Sequence, residues 1–207
     1  MKNKVCFIII TIFCCCIYTS CHDSITFPDE VNLSEADFLL DSNNIWTYAF
    51  TDSLSKEKDT VIVKSLGKGF YDNREPAFIW QLKFKKYLDT NYVFTSKNKD
   101  TIRFISNFNR HNRYIKARLL FPLFAGMKWK GEWFNDTVKV IRQEKISVPF
   151  AIFLNAFYLE EKWGAFNDYG KMILWYQPHV GFLKIQRREW GFGFLNQTWE
   201  LIKYEKK

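Results

Sequence analysis

The sequence predicts a mainly β protein: a single antiparallel meander sheet forming an open or closed barrel, with one short N-terminal helix. Three observations carry this expectation. In Ala77 to Tyr87, Phe78, Trp80, Leu82 and Phe84 fall on one face while Gln81, Lys83 and Lys85 fall on the other. That period of two marks a strand with one buried face. Arg113 to Phe121 repeats it, Ile115, Ala117, Leu119 and Phe121 alternating with Tyr114, Lys116 and Arg118. Such segments recur along the chain with only brief Asn, Asp, Gly and Lys connections between them. These connections are too short for crossover helices, so neighbouring strands should be antiparallel.

The chain opens with a different kind of segment. Lys2 and Lys4 precede an unbroken apolar stretch from Val5 to Phe13, and the run to Tyr18 is 14 residues. A helix that crosses a bilayer needs about 20 apolar residues, so residues 1–20 read as an export signal rather than a span. Of the five cysteines only Cys21 follows small residues, Thr19 and Ser20. Cys14 follows bulky Phe13, and Cys15 and Cys16 follow other cysteines. Cys21 is therefore the candidate lipidated residue. The arrangement resembles a bacterial lipoprotein signal of the looser kind found in the Bacteroidota, with Tyr18 where the family usually carries Leu. All the cysteines, Cys6 included, lie in this leader, which leaves the mature domain no disulfide and no thiol nucleophile.

After Cys21 comes a short segment with Asp23, Asp29, Glu30 and Pro28 and no apolar period, which suits a flexible tether over residues 21–32. A single β domain is expected over 33–207, long enough for a sizeable core. Ser34-Glu35-Ala36-Asp37 before Phe38-Leu39-Leu40 reads as a helix start. Ser34 can accept from backbone N–H groups there, and the acidic side chains suit the positive end of the helix dipole. Strands are then read at about 46–54, 59–66, 77–87, 91–96, 100–107, 113–121, 136–142, 151–161, 170–177, 181–189 and 197–204. Val148 to Lys162 is the ambiguous stretch. Phe150, Phe153, Leu154, Phe157 and Tyr158 are spaced as a helical stripe, yet the aromatic composition and Pro149 favour a strand.

The formal net charge is +8, spread rather than gathered into a tail. A basic exported protein could meet anionic lipid, acidic glycans or nucleic acid, and an exported location makes nucleic acid the poorest match. Of 21 Phe, 10 Tyr and 8 Trp, only Phe7, Phe13 and Tyr18 lie in the leader. Aromatic residues favour pleated surfaces, so they read first as barrel core and second as the lining of an apolar cavity.

Trp175-Tyr176-Gln177-Pro178-His179-Val180-Gly181-Phe182-Leu183-Lys184 carries a hairpin signal, Pro178 and Gly181 supplying restricted and permissive backbone at the turn. With Phe121-Pro122-Leu123, Gly126-Met127-Lys128-Trp129 and Val148-Pro149, this stretch resembles uncharacterised bacterial outer-membrane lipoproteins with LolA- or LolB-type open barrels. The resemblance spans about 45–204. It implies a fold that shields acyl chains, and says more of fold than of activity.

No catalytic constellation is legible. His22 lies in the tether and His111 and His179 in expected turns, without metal-ligand spacing, and no phosphate loop, dinucleotide fingerprint or Gly-x-Ser-x-Gly elbow occurs. Glu160 and Glu161 are adjacent, so on a strand they point to opposite faces. An acid pair could come only from separate strands. A sharper pattern involves aspartate: seven of the 11 are followed by Ser or Thr, and five of those continue with an aliphatic residue. Their hydroxyls belong to Ser24, Ser53, Thr60, Thr101 and Thr137, and the pattern resembles the O-glycosylation motif of exported Bacteroidota proteins. The same pairs also suit turns and strand starts.

The expectation is a lipoprotein of the cell envelope, most simply of the outer membrane, held to the membrane through its N-terminal lipid. It would act as a non-catalytic binding module for an apolar or acyl ligand or an envelope protein, without cofactor or metal. A surface glycan- or partner-binding lipoprotein is the alternative, and a hydrolase without a recognisable motif the third reading.

Overall fold

In a computed structural model, residues 39–72, 74–106, 113–133, 136–165, 168–191 and 194–206 are described. The leader, Cys21, Ser24, the tether, His22, the Ser34 helix start and His111 lie outside them. Twelve strands form one sheet: β1 Asn44–Asp52, β2 Glu57–Tyr71, β3 Glu75–Lys83, β4 Leu88–Thr95, β5 Thr101–Ser106, β6 Ala117–Leu120, β7 Lys128–Trp129, β8 Thr137–Ser147, β9 Ile152–Ala165, β10 Asp168–Gln177, β11 Gly181–Trp190 and β12 Leu195–Lys206. The order is β6-β5-β4-β3-β2-β1-β12-β11-β10-β9-β8-β7, every pair antiparallel. This is the expected meander, rolled until its first strand meets its last.

All eleven expected strands are present, and the ambiguous 150–162 stretch is strand from Ile152 onward, Phe150 and Ala151 forming the turn before it. The differences have local causes. The 113–121 pattern is right in phase, but pairing begins only at Ala117, and Phe84 turns out of β3 by donating its N–H to the Tyr87 carbonyl. The two-residue β7 was too short to show a period. Of the N-terminal helix only Leu39 and Leu40 fall among the described residues, and both are helical.

The interior is filled by rings. Trp46 and Trp80 meet at 4.7 Å between centroids, Trp80 meets Phe104 at 4.9 Å, and Phe104 on β5 meets Phe182 on β11 at 5.3 Å. The last contact joins opposite walls, so side chains close the barrel's middle. Three of the buried rings place their polar atoms on backbone carbonyls: Tyr48 donates to the Phe182 carbonyl (2.9 Å), Trp46 Nε1 to Val180 O (2.6 Å) and Trp80 Nε1 to Leu39 O (3.1 Å). Leu39 thereby sits over one mouth, hereafter the entry end, and contacts the Gly181 turn. Gly181 has φ +97° and packs within 3.3 Å of Leu39 from where a Cβ would stand, so the expected turn residue serves both backbone and packing.

Candidate functional site: the strap at the barrel seam

The strand order leaves β6 and β7 as edges, and unpaired strand edges must be covered. Here side chains do it. Trp129 Nε1 donates to the Arg118 carbonyl across the gap (2.9 Å), and Arg118 Nη1 returns a bond to Lys130 O (3.2 Å). Glu132, its side chain 6% exposed, accepts from Arg103 Nε (2.8 Å) and Nη2 (3.1 Å) and from Arg118 Nε (2.7 Å). A planar guanidinium matches a carboxylate at two points, so Glu132 ties β5 and β6 to the segment entering β8. The same carboxylate raises the Arg103 pKa, keeping it charged.

The inner side of this strap holds an acid pair from separate strands. Glu161 on β9 is 1% exposed and Asp136, just before β8, 5%. Glu161 Oε1 accepts the Glu132 backbone N–H (3.3 Å), and Asp136 Oδ2 accepts that of Trp133. Burial, then the neighbouring Asp136, push Glu161 well above the usual carboxylate range. One oxygen of each, Asp136 Oδ1 and Glu161 Oε2, has no partner among fixed donors. A proton held on Glu161 removes one of the two buried charges, which burial and the neighbouring carboxyl both favour.

Gly131 makes this approach possible. A Cβ built on it would fall inside contact distance of both Glu161 Oε1 and Asp136 Oδ2. Gly131→Ala should therefore force the pair apart and lower stability by about 1–3 kcal/mol, the usual range for overpacking, measured as a lower denaturant midpoint at constant slope. An unchanged midpoint would show that the carboxyls do not occupy this space.

Rings and cations roof the pair. Trp133 stacks on Trp163 at 4.5 Å and 8°, with Lys116 Nζ 4.2 Å and the Arg187 guanidinium 4.8 Å from its centroid. Arg187, an inward charge, bonds Glu189 through Nε (2.7 Å) and the Tyr114 hydroxyl through Nη2 (3.1 Å). Chemically the arrangement can hold a proton and fasten the strap. A glycosidase-type pair needs about 5–9.5 Å between carboxyls to admit a substrate, whereas here one glycine fills the space beside both. Among the described residues, no group of three or more His, Cys, Asp or Glu is placed to hold a metal.

The outer face carries a ladder in one register row: Arg142 (β8), Tyr158 (β9), Trp175 (β10), Lys184 (β11) and Glu200 (β12) stand opposite one another in turn. Arg142 lies over Tyr158 (4.7 Å), Tyr158 meets Trp175 edge-on (5.2 Å), and Lys184 lies over Trp175 (5.7 Å) and bonds Glu200 (2.7 Å). Trp175 Nε1 donates to Glu144 (2.7 Å). The rings are partnered by their own sheet.

The expected modification sites are on separate strands and turns. In each described pair the aspartate is engaged: Asp52 Oδ1 accepts the Leu54 N–H (3.0 Å), Asp59 Oδ1 those of Thr60 (2.7 Å) and Lys85 (3.3 Å), and Asp100 Oδ1 the hydroxyls of Ser96 (2.6 Å) and Thr101 (3.1 Å). Asp136 belongs to the acid pair. Ser53, Thr60 and Thr137 are exposed and Thr101 is half-buried. His179 lies in the β10–β11 turn with φ 59°. Glu160 and Glu161 do point to opposite faces, Glu160 bonding Lys162 and Lys171 outside. Sequence reasoning missed Gly131, Glu132 and Arg187, and read Asp136 only as part of a modification motif. The available signal was phase, since Glu161 falls with Leu159, and Arg187 with Leu183 and Ile185, on the inward positions of their strands.

Fold and site together define a ring-filled, twelve-stranded antiparallel barrel whose seam is fastened by side chains. No family model matches the chain, and no curated protein matches it. Among solved structures it is similar to one described as "a putative lipoprotein from Parabacteroides distasonis", at 10% identity and TM-score 0.41, covering 80% of this chain and 96% of that one.

Proposed function

We propose that this protein is a lipid-anchored cell-envelope lipoprotein, on the outer membrane, acting as a non-catalytic binding module. The observation that carries the reading is the leader: two lysines, a short apolar stretch and a first cysteine with small residues before it, Cys21. Because rings meet across the interior, an apolar or acyl ligand would lie against the outer surface or rim. The resemblance to LolA- and LolB-type barrels rests on turns such as Trp175 to Lys184, and extends to fold more readily than to acyl carriage. The non-catalytic reading is supported by the packing of the Asp136 and Glu161 carboxyls against Gly131, which leaves a substrate no room beside them.

The test is the mass of the mature protein purified from its native host. It should begin at Cys21 and exceed the polypeptide mass by acyl chains, and Cys21→Ser should abolish the increment. Further mass lost when Ser24, Thr60 and Thr101 are changed to Ala would reveal O-glycosylation, with Ser53 and Thr137 as the remaining positions. An uncleaved or unacylated chain would overturn the anchor.

A second reading, binding of a glycan or partner protein at the surface, is favoured by an open groove of about 490 Å³ beside β5. It combines Phe94, Thr95, Ser96 and Thr101 with Arg103 and Arg118, an aromatic wall and polar groups of the kind sugars use.

A further inference from the structure

We propose that the protruding end of the β8–β9 hairpin, from Phe150 to Leu154, docks into the interfacial layer of a phospholipid membrane. The proposal rests on the lipid-anchored reading above and adds to it the surface that faces the bilayer. β9 pairs with β10 only as far as Phe157, so residues 152–156 extend beyond the neighbouring strand and are supported by β8 alone. The projection is held in place. Ile146 and Phe153 stand opposite each other and pack on the core, Val148 is buried, and the Phe150 N–H donates to the Leu201 carbonyl of β12 (3.0 Å).

The inner face of the hairpin thus has a reason to be apolar, and its outer face has none inside the barrel. Yet Ile152 is 60% exposed and Leu154 66%, on the same face of one strand, with Phe150 at the tip 39% exposed. Taking such side chains out of water is favourable, and the barrel itself offers these no cover.

Position and charge select a lipid surface as the occupant. The described chain enters at this end: Asp41 pairs with Lys206 on β12 (3.2 Å), and Leu39 covers the adjacent mouth. Leu201, which holds the hairpin tip, lies five residues from Lys206 on the same strand, about 17 Å at strand rise. Seventeen residues lie between Cys21 and Leu39 and span at most about 65 Å, so an anchored Cys21 keeps this end near the bilayer. Lys145 is exposed on the same hairpin, next to Ile146 opposite Phe153, and Lys203 on β12, paired with Glu205 (3.1 Å), lies two residues beyond Leu201; aliphatic, Phe and Lys side chains at one end of a barrel suit an anionic interface.

The mature full chain, reconstituted through its own anchor into vesicles of phosphatidylethanolamine and phosphatidylglycerol, provides the test. A nitrobenzoxadiazole label is placed on Ile152→Cys, and as a control on Leu88→Cys, 63% exposed at the far end where β4 begins. The label at 152 should shift its emission to the blue and be quenched several-fold more by lipid-borne nitroxide than the label at 88. Water-like emission at both positions would overturn the proposal. Labelling of the parental protein reports a free Cys21 and hence failure of the anchor reading alone; the same comparison in a Cys21→Ser background with added vesicles then decides the hairpin separately.

Discussion

Replacing Trp80 by Ala should destabilise the barrel by about 3–5 kcal/mol, the range for removing a large buried ring. Trp80 is 1% exposed, lies between Trp46 and Phe104, and donates its indole N–H to Leu39 over the entry mouth. The substitution therefore removes contacts from the centre of the ring cluster and leaves the Leu39 carbonyl without its donor. Trp80→Phe separates the two effects, because it keeps a ring and loses the N–H, and about 1 kcal/mol is expected from the lost bond. Both are read as shifts in denaturant midpoint at constant slope. A loss below 1 kcal/mol for Trp80→Ala would mean that the interior is not packed through this residue.

The second large effect is a dependence of stability on pH that runs opposite to that of a salt-bridged carboxylate. Glu161 has a folded-state pKa raised above its ordinary value by burial and by Asp136. The folded chain therefore binds a proton that the unfolded chain releases. The stabilisation is fully present below the unfolded pKa and is lost as pH rises towards the folded one, at up to about 1.4 kcal/mol per pH unit. Unfolding between pH 5 and 9 should show this decline, and Glu161→Gln, neutral at every pH, should flatten it and raise stability at the alkaline end. The groups facing the pair from packed elements are Glu132 on the strap, Lys116 before β6 and Arg187 on β11. Lys116 is lowered by its own burial and titrates with the opposite sign on the alkaline side, which is why the measurement stops at pH 9. A parent and a variant with parallel profiles would mean that the pair holds no proton.

The strands were legible because most of the barrel obeys one rule, apolar inward and polar outward at a period of two. Trp46, Tyr48 and Phe50, or Met172, Leu174 and Tyr176, could be assigned to the core from alternation alone. The seam could not, since β7 is two residues long and its fastening depends on Arg103, Arg118 and Glu132 converging from separated segments. The acid pair escaped for a different reason. Asp136 and Glu161 are 25 positions apart and look like a turn residue and half of a Glu-Glu doublet. Only the β8–β9 register, in which Val138 faces Glu161, brings them together under Gly131. The outer ladder was hidden likewise: its five members are ordinary in sequence and become a row only when four registers align.

The pairing of β1 with β12 has a topological consequence. Asn44 stands opposite Lys206, so the start of the first strand and the end of the last are stitched side by side, while the break in the hydrogen-bonded wall falls mid-chain between β6 and β7. The molecule is thus a ring with two cuts, one covalent and one in its backbone ladder, placed on opposite sides. Every other strand pairing joins sequence neighbours, so β1–β12 is the one backbone ladder between two six-stranded halves that can each form by local hairpins. Joining the start of β1 to the end of β12 and opening the chain near Gly126 would bring the two cuts into coincidence. Such a circular permutant would keep every strand partner of the parent and convert its one long-range pairing into another hairpin.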